Sequence, residues 1–237
     1  MFSDPLICLL FTAAVAYLLG SFNSAIVFSR AFLHRDIRTI GSGNAGFTNS
    51  LRTGNKKIAV LTLFCDVPKV GVAVLLGQLL MRSCLNGEVG SEQLGAAVSG
   101  FFAMLGHIFP VYFGFRGGKG VLTAITMLLF TNWRAALIGI AVWGILLLFT
   151  RMVSLSVLIT LPVCVLASYF FRPAGEIALF GVTFPVSFIT LGTVLAAAII
   201  IAVKHRDNIR RILAGNENKI GQKAVIPEEK EEPPHET

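Results

Sequence analysis

Residues 121–150 read VLTAITMLLFTNWRAALIGIAVWGILLLFT, and whether that run crosses a membrane once or twice decides the fold. A helix needs about 20 apolar residues to span a hydrocarbon core of ~30 Å, so thirty are more than one crossing requires. The run is also broken at Thr131-Asn132-Trp133-Arg134, a polar step carrying a charge. Splitting it there leaves 121–131, too short for a full span, and 135–150. Other apolar runs cover roughly 5–33, 58–81, 94–111, 153–171 and 185–203. The first holds Gly20-Ser21-Phe22-Asn23-Ser24, a small and polar patch that lipid does not tolerate and that must face protein or water. Met1-Phe2-Ser3-Asp4 lacks the basic start of a cleavable leader, so the first run reads as a span.

Charge settles the count. Arg30, Arg35, Arg38, Arg52, Lys56 and Lys57 put the first loop in the cytoplasm, and Lys204, Arg206, Arg210 and Arg211 put the C-terminal segment there too. Seven spans satisfy both, with the N-terminus outside, sixteen Lys/Arg inside and only Arg82, Arg134 and Arg172 outside. Merging 121–150 into one span places the basic tail on the wrong side. The expectation is therefore an all-α, polytopic bundle of about seven transmembrane helices. Within it, 121–131 is a short helix whose N-terminus starts deep in the protein.

Composition agrees. The 237 residues are 54% hydrophobic and 14% charged, against about 25% charged in soluble domains, and mean hydropathy is +0.75. Long apolar runs and 19 Phe exclude a disordered chain. Net charge is +7, but no nucleic-acid motif accompanies it, so no nucleic-acid partner is expected. The balance is uneven: residues 1–203 hold 13 Lys/Arg against 6 Asp/Glu, and the last 34 hold seven of each. The chain divides into a transmembrane domain, 1–203, a basic motif segment, 204–219, and a Glu- and Pro-rich tail, 220–237, expected to be disordered. Cys8, Cys65, Cys84 and Cys164 are scattered, which predicts neither a disulfide framework nor a metal site, and leaves Cys84 without an obvious partner.

Three polar clusters fall on the cytoplasmic side. The first is Gly41-Ser42-Gly43-Asn44-Ala45-Gly46-Phe47-Thr48-Asn49-Ser50-Leu51-Arg52. Its glycines permit tight turns, Ser42, Asn44, Thr48 and Asn49 offer hydroxyls and amides, and Arg52 offers a planar cation suited to phosphate. The second contains Gly106-His107 and then Arg116-Gly117-Gly118-Lys119-Gly120, opening the helix at Val121. A glycine-rich turn before a helix presents backbone N–H groups and a positive dipole end to an anion. It is no Walker A loop, because Gly120 stands where magnesium-binding Ser or Thr would be. The third runs from His205 to Lys219, with His205 and Asn208 on one helical face. Asp66 and Lys69, three residues apart within a span, read as a mutually neutralising pair. Polar loops converging on one end of a bundle predict an anion site.

These residues resemble the bacterial acyl-phosphate:glycerol-3-phosphate acyltransferases, the PlsY family. The likeness rests on Gly41–Asn44, Gly46, Thr48-Asn49 and Arg52, on Phe115 to Val121, and on His205 to Arg211 with Gly215, Glu217 and Lys219. Phe47 stands where that family usually has Ala, and Arg116 where it usually has Lys. The resemblance implies a multi-pass protein of the bacterial plasma (inner) membrane with its active site on the cytoplasmic side. It also implies acyl phosphate and glycerol 3-phosphate as substrates and 1-acylglycerol 3-phosphate as product. It assigns Ser42, Arg52, His205 and Asn208 to acyl-phosphate binding and catalysis, with Gly117, Gly118 and Lys119 on glycerol 3-phosphate. Gly43, Asn44, Thr48, Asn49, His107, Arg116 and Gly120 are further candidate binding residues, and Glu217, Asp66 and Lys69 structural ones. Acyl phosphate is already activated, so neither a metal nor another cofactor is expected. The His-x4-Asp acyltransferase motif is missing, since Thr39, Tyr112 and Arg210 stand five residues after His34, His107 and His205. A transporter or flippase for a phosphorylated solute is the alternative; the absence of internal repeats and of a midplane site weighs against it.

Overall fold

The structure, a computed structural model, describes residues 4–221. The expected disorder of the acidic tail falls mainly on 222–237, outside the described residues. Helix α1 (Pro5–Ser21) begins at Asp4, whose carboxylate accepts the Leu6 N–H at 2.8 Å, with Pro5 in the first turn. It ends at the polar patch, where Asn23 caps α2 (Ser24–Leu33). Gly20, Ser21, Asn23 and Ser24 are buried against protein as expected, and only Phe22 of the patch points outward.

The short α3 (Phe47–Arg52) lies within the first loop, ahead of α4 (Lys56–Cys84) and α5 (Ser91–Ile108). The bundle is centred on α5, in a span with 67% of its apolar window enclosed by protein. Small residues bring its neighbours onto it. A Cβ on Gly20 would strike the Ala103 backbone, one on Gly106 the Tyr17 carbonyl, and one on Gly77 the Gly95 carbonyl. Backbones therefore touch along α1–α5 and α4–α5, the contact that drives helix association where lipid removes the hydrophobic force.

Residues 121–150 form two helices, as the polar break at 131–134 predicts. α6 (Val121–Thr131) and α7 (Trp133–Thr150) join at Asn132, whose side chain accepts the Ala135 N–H at 3.3 Å and donates to the Phe171 carbonyl at 2.9 Å. At eleven residues, α6 is roughly 16 Å long and covers only about half the hydrocarbon thickness. At its N-terminus Gly120 is buried and Val121 half-buried. Helices α8 (Val153–Phe170), α9 (Val186–Lys204) and α10 (Arg206–Leu213) complete the chain. Among the described residues, six helical segments are long and apolar enough to cross a membrane, and α6 is a shorter apolar helix beside them.

The bundle is helical as expected, and at its end away from the polar loops it carries one small hairpin and one cross-link that the sequence did not predict. In the hairpin, β1 (Glu176–Leu179) pairs antiparallel with β2 (Val182–Pro185), in register Glu176↔Pro185 to Leu179↔Val182. The turn uses Phe180 and Gly181, both at positive φ, as a tight hairpin requires. Ile177 and Leu179 of this hairpin pack with Cys8, Met81, Leu94 and Val186 in a small separate core. Beside it, Cys8 is disulfide-bonded to Cys84. Seventy-six positions separate the two, so spacing gave no sign of it; the antiparallel return of α4 along α1 brings them together.

Candidate functional site

The first loop is organised by Asp36. Its carboxylate accepts the Arg38 backbone N–H and Nε at 2.9 Å each, and guanidinium nitrogens of Arg38 and Arg30 at 2.8 and 2.7 Å. Burial opposes the charged form of Asp36, but these cations hold the carboxyl well below its ordinary range. The remaining arm of Arg38 donates to the carbonyls of Phe113 and Arg116, at 2.8 and 3.0 Å. Thus the first polar loop is tied to the glycine-rich one.

Asn49 braces the first loop from within. It donates to the carbonyls of Ile37 and Ile40 and accepts the Ser42 N–H at 3.0 Å. With Asn49 so engaged, Ser42, Asn44, Thr48 and Arg52 present the polar atoms of the loop to a cavity of about 500 Å³. Gly43 serves the turn, at φ +68°. The Arg52 guanidinium has no hydrogen bond or ion pair among the described residues, and burial lowers its pKa from the ordinary value.

The glycine-rich loop folds back on the end of α5. The Gly117 N–H donates to Ile108 and the Gly118 N–H to His107, at 3.1 Å each. Neither has room for a Cβ, because His107 and Ala45 occupy the space at Gly118 and the His107 carbonyl occupies it at Gly117. These two amides are therefore engaged within the chain. The amides of Lys119, Gly120 and Val121, at the start of α6, have no acceptor among the described residues, and all three residues line the cavity. The open cradle thus lies just past the glycine pair. Arg116 is exposed and, like Gly117 and Gly118, does not line the cavity.

From the third cluster, His205 and Asn208 reach the same cavity. The His205 Nδ1 lies 2.8 Å from the Ile201 carbonyl, so it carries the proton and leaves Nε2 as an acceptor. Burial, and then the Lys119 charge, lower the His205 pKa to about 4, so the ring is neutral at neutral pH. Asn208 accepts from the Lys119 ammonium and donates to Ser154 Oγ at 2.6 Å and to Glu217 Oε1 at 2.7 Å. Glu217 also accepts from Ser154 at 2.8 Å and from the Arg211 guanidinium at 2.9 Å. Burial brings the Lys119 pKa down to about 8 despite the Glu217 charge. Ser154 was missed in the sequence: a serine in the first turn of an apolar helix gives no signal until Glu217 and Asn208 fold onto it.

At the cavity floor, Asp66, Lys69 and His107 form a buried group. Lys69 Nζ donates to Asp66 at 2.7 Å and to the Phe22 carbonyl at 2.6 Å, and lies 3.2 Å from His107 Nδ1. Ser24 donates to the same Asp66 oxygen at 2.8 Å. The rest of the cavity wall is mostly apolar, supplied chiefly by α6, α7, α8 and α9.

The fold is that of an integral-membrane helical bundle, with a cavity at one end lined by residues of three polar loops. The chain matches the family model described as glycerol-3-phosphate acyltransferase over residues 10–215. It is 41% identical over 211 residues to the glycerol-3-phosphate acyltransferase of Ralstonia nicotianae, covering 89% of this chain and 93% of that one. It is 39% identical to that of Bartonella henselae over 210 residues, 87% and 89% of the two chains. Its fold matches the crystal structure of the integral membrane acyltransferase PlsY in its glycerol 3-phosphate form, with a TM-score of 0.72 and 31% identity over 90% of this chain and 96% of that one. The lysophosphatidic acid form of PlsY matches at 0.69, with 30% identity and the same coverage. The chain belongs to the glycerol-3-phosphate acyltransferase family of the PlsY type.

Proposed function

We propose that the enzyme transfers an acyl group from acyl phosphate to the sn-1 hydroxyl of glycerol 3-phosphate, giving 1-acylglycerol 3-phosphate and inorganic phosphate. One observation carries this reading. A single cavity joins a cationic polar end, with Arg52, Lys119 and open α6 amides, to an apolar arm between α6, α7, α8 and α9. A phosphate head with a hydrocarbon tail fits that division, and a second, small phosphate fits the amide cradle.

The chemistry needs no nucleophile from the protein, because the mixed anhydride is already activated. The hydroxyl oxygen attacks the acyl carbon, a C–O bond forms, and the bond from that carbon to the phosphate oxygen breaks. What remains is to hold two anions together and to stabilise charge building on the carbonyl oxygen. Arg52 and Ser42 hold the acyl phosphate. Lys119, with the Lys119, Gly120 and Val121 amides, binds glycerol 3-phosphate. Asn208 aligns Lys119 and is itself held by Ser154 and Glu217. The hydroxyl proton goes to the departing phosphate, or to His205 Nε2, which is bare at neutral pH. Residues 204–219 thus complete a site otherwise built from the transmembrane domain.

We place the site on the cytoplasmic side of the bacterial inner membrane. The basic loops lie at the site end, and the Cys8–Cys84 disulfide lies at the opposite end, consistent with an oxidising compartment there. The decisive test is release of inorganic phosphate from acyl phosphate by the purified protein. Release that requires glycerol 3-phosphate supports the reaction; acylation from another donor alone refutes it.

A further inference from the structure

The apolar arm contains two polar atoms that the reaction does not use. The Thr160 hydroxyl and the Trp143 indole N–H are buried and have no hydrogen-bond partner among the described residues. Both residues line the cavity. Buried donors without partners are rare, and each calls for an explanation.

The two residues stand at one level of the α7–α8 pair. Helices α7 and α8 turn back on each other at Arg151–Met152, and Trp143 and Thr160 each stand seven residues inside their helix from that turn, roughly 10 Å along the axis. The register is supported one turn farther on, where a Cβ on Gly139 would meet Cys164 Sγ, with the Thr160 methyl 3.7 Å away. Thr160 also differs from its counterparts. The hydroxyls of Thr62, Thr126, Thr131 and Thr190 donate to the carbonyl four residues back, and no such bond is made by Thr160. Indole N–H is a donor only, so the pair cannot be satisfied by a saturated hydrocarbon tail.

We propose that Trp143 and Thr160 are specificity-determining residues that recognise an electron-rich acceptor part-way along the acyl chain: a hydroxyl oxygen or a carbon–carbon double bond. An oxygen accepts both hydrogen bonds, and a double bond offers its π-face to the N–H. A saturated chain fills the arm but leaves both donors unpaired. This inference rests on the placement of the acyl chain in the arm.

The test is equilibrium binding to the full-length protein in detergent, by displacement of a radiolabelled saturated 1-acylglycerol 3-phosphate. Competitors of one chain length carry a cis double bond, a hydroxyl or neither, with the group placed at successive carbons. Wild type binds the best-placed acceptor about fivefold more tightly than the saturated chain, the worth of one net hydrogen bond. That advantage fades as the group moves along the chain. It shrinks in Trp143→Phe and in Thr160→Val and disappears in the double variant. A preference confined to the hydroxyl or to the alkene series identifies which acceptor is read. Equal binding of all competitors to wild type overturns the inference, as does a preference that survives in the double variant. Product binding needs no acyl donor, so failure of the acyl-phosphate assay and failure here are separate results.

Discussion

Replacing Gly118 by Ala separates two roles that the glycine-rich loop can have. If the Gly118 amide held a substrate phosphate, the added methyl would weaken glycerol 3-phosphate binding and spare the acyl donor. The structure argues otherwise. That amide donates to the His107 carbonyl, and a Cβ would fall on His107 Nε2 and 2.8 Å from the Ala45 carbonyl. The second contact is backbone, so the clash cannot be relieved by a rotamer change. Overpacking of this kind costs about 1–3 kcal/mol, and the loop moves to escape it. Moving the loop carries Lys119 away from Asn208 and shifts the cradle, and a displacement of ~1 Å at a positioning element is worth about a hundredfold in rate. The expected result is a joint loss: kcat/KM for both substrates falls at least tenfold, while thermal unfolding shows a folded protein. Steady-state kinetics on the purified variant, varying each substrate in turn, reads this directly. A selective rise in KM for glycerol 3-phosphate, with the acyl donor unaffected, refutes the reasoning and returns the Gly118 amide to the substrate.

Arg52→Ala removes a guanidinium that has no hydrogen bond or ion pair among the described residues, so activity drops more than tenfold, at least ~1.4 kcal/mol of barrier, with Tm unchanged. Retention of a tenth or more of the rate shows that Arg52 does not touch the reacting phosphates. Because the Lys119 pKa is lowered to about 8, its charge is complete below that pH and lost above it. kcat/KM for glycerol 3-phosphate should therefore fall as pH rises through about 8, and Lys119→Arg should move the fall upward; a profile flat to pH 10 counts against a role for that charge. Glu217→Ala leaves Arg211, Asn208 and Ser154 short of an acceptor, which costs about 3–5 kcal/mol, whereas Glu217→Gln keeps part of the hydrogen bonding. Thermal unfolding should rank wild type above Gln and Gln above Ala. For orientation, Gln93→Cys, at an exposed position, should react with an impermeant maleimide on intact cells and Lys56→Cys only after permeabilisation. The reverse pattern inverts the membrane topology.

The long apolar helices and the short α6 were legible because lipid imposes a length rule on each apolar run. The convergence of the three polar loops was legible as well, since Arg52, Lys119, His205 and Asn208 carry groups that a bundle interior does not otherwise tolerate. Hydrogen-bond assignment was not. Gly117 and Gly118 look like the cradle in sequence, but their amides are used to dock the loop on α5, and only the fold reveals that the open amides come next. Asn49 likewise reads as a ligand and is found holding its own loop. The hairpin escaped because two four-residue strands around Phe180-Gly181 are too short for a period-two pattern to stand out beside a span. Cys8 and Cys84 escaped because pairing over 76 positions depends on how α4 returns along α1, which no local pattern encodes.

The glycine seam between α1 and α5 has a consequence for how the chain is made. Gly20 and Gly106 fit only against each other's helix, yet roughly 90 residues of synthesis separate the end of α1 from the end of α5, about 4–17 seconds at ordinary elongation rates. During that interval α1 waits in the bilayer without its main partner. Cys84 emerges before α5 does, so oxidation of Cys8 and Cys84 can tether α1 to α4 while the seam is still unmade. The cross-link and the glycine seam thus hold α1 to different partners, α4 through Cys8 and Cys84 and α5 through Gly20 and Gly106.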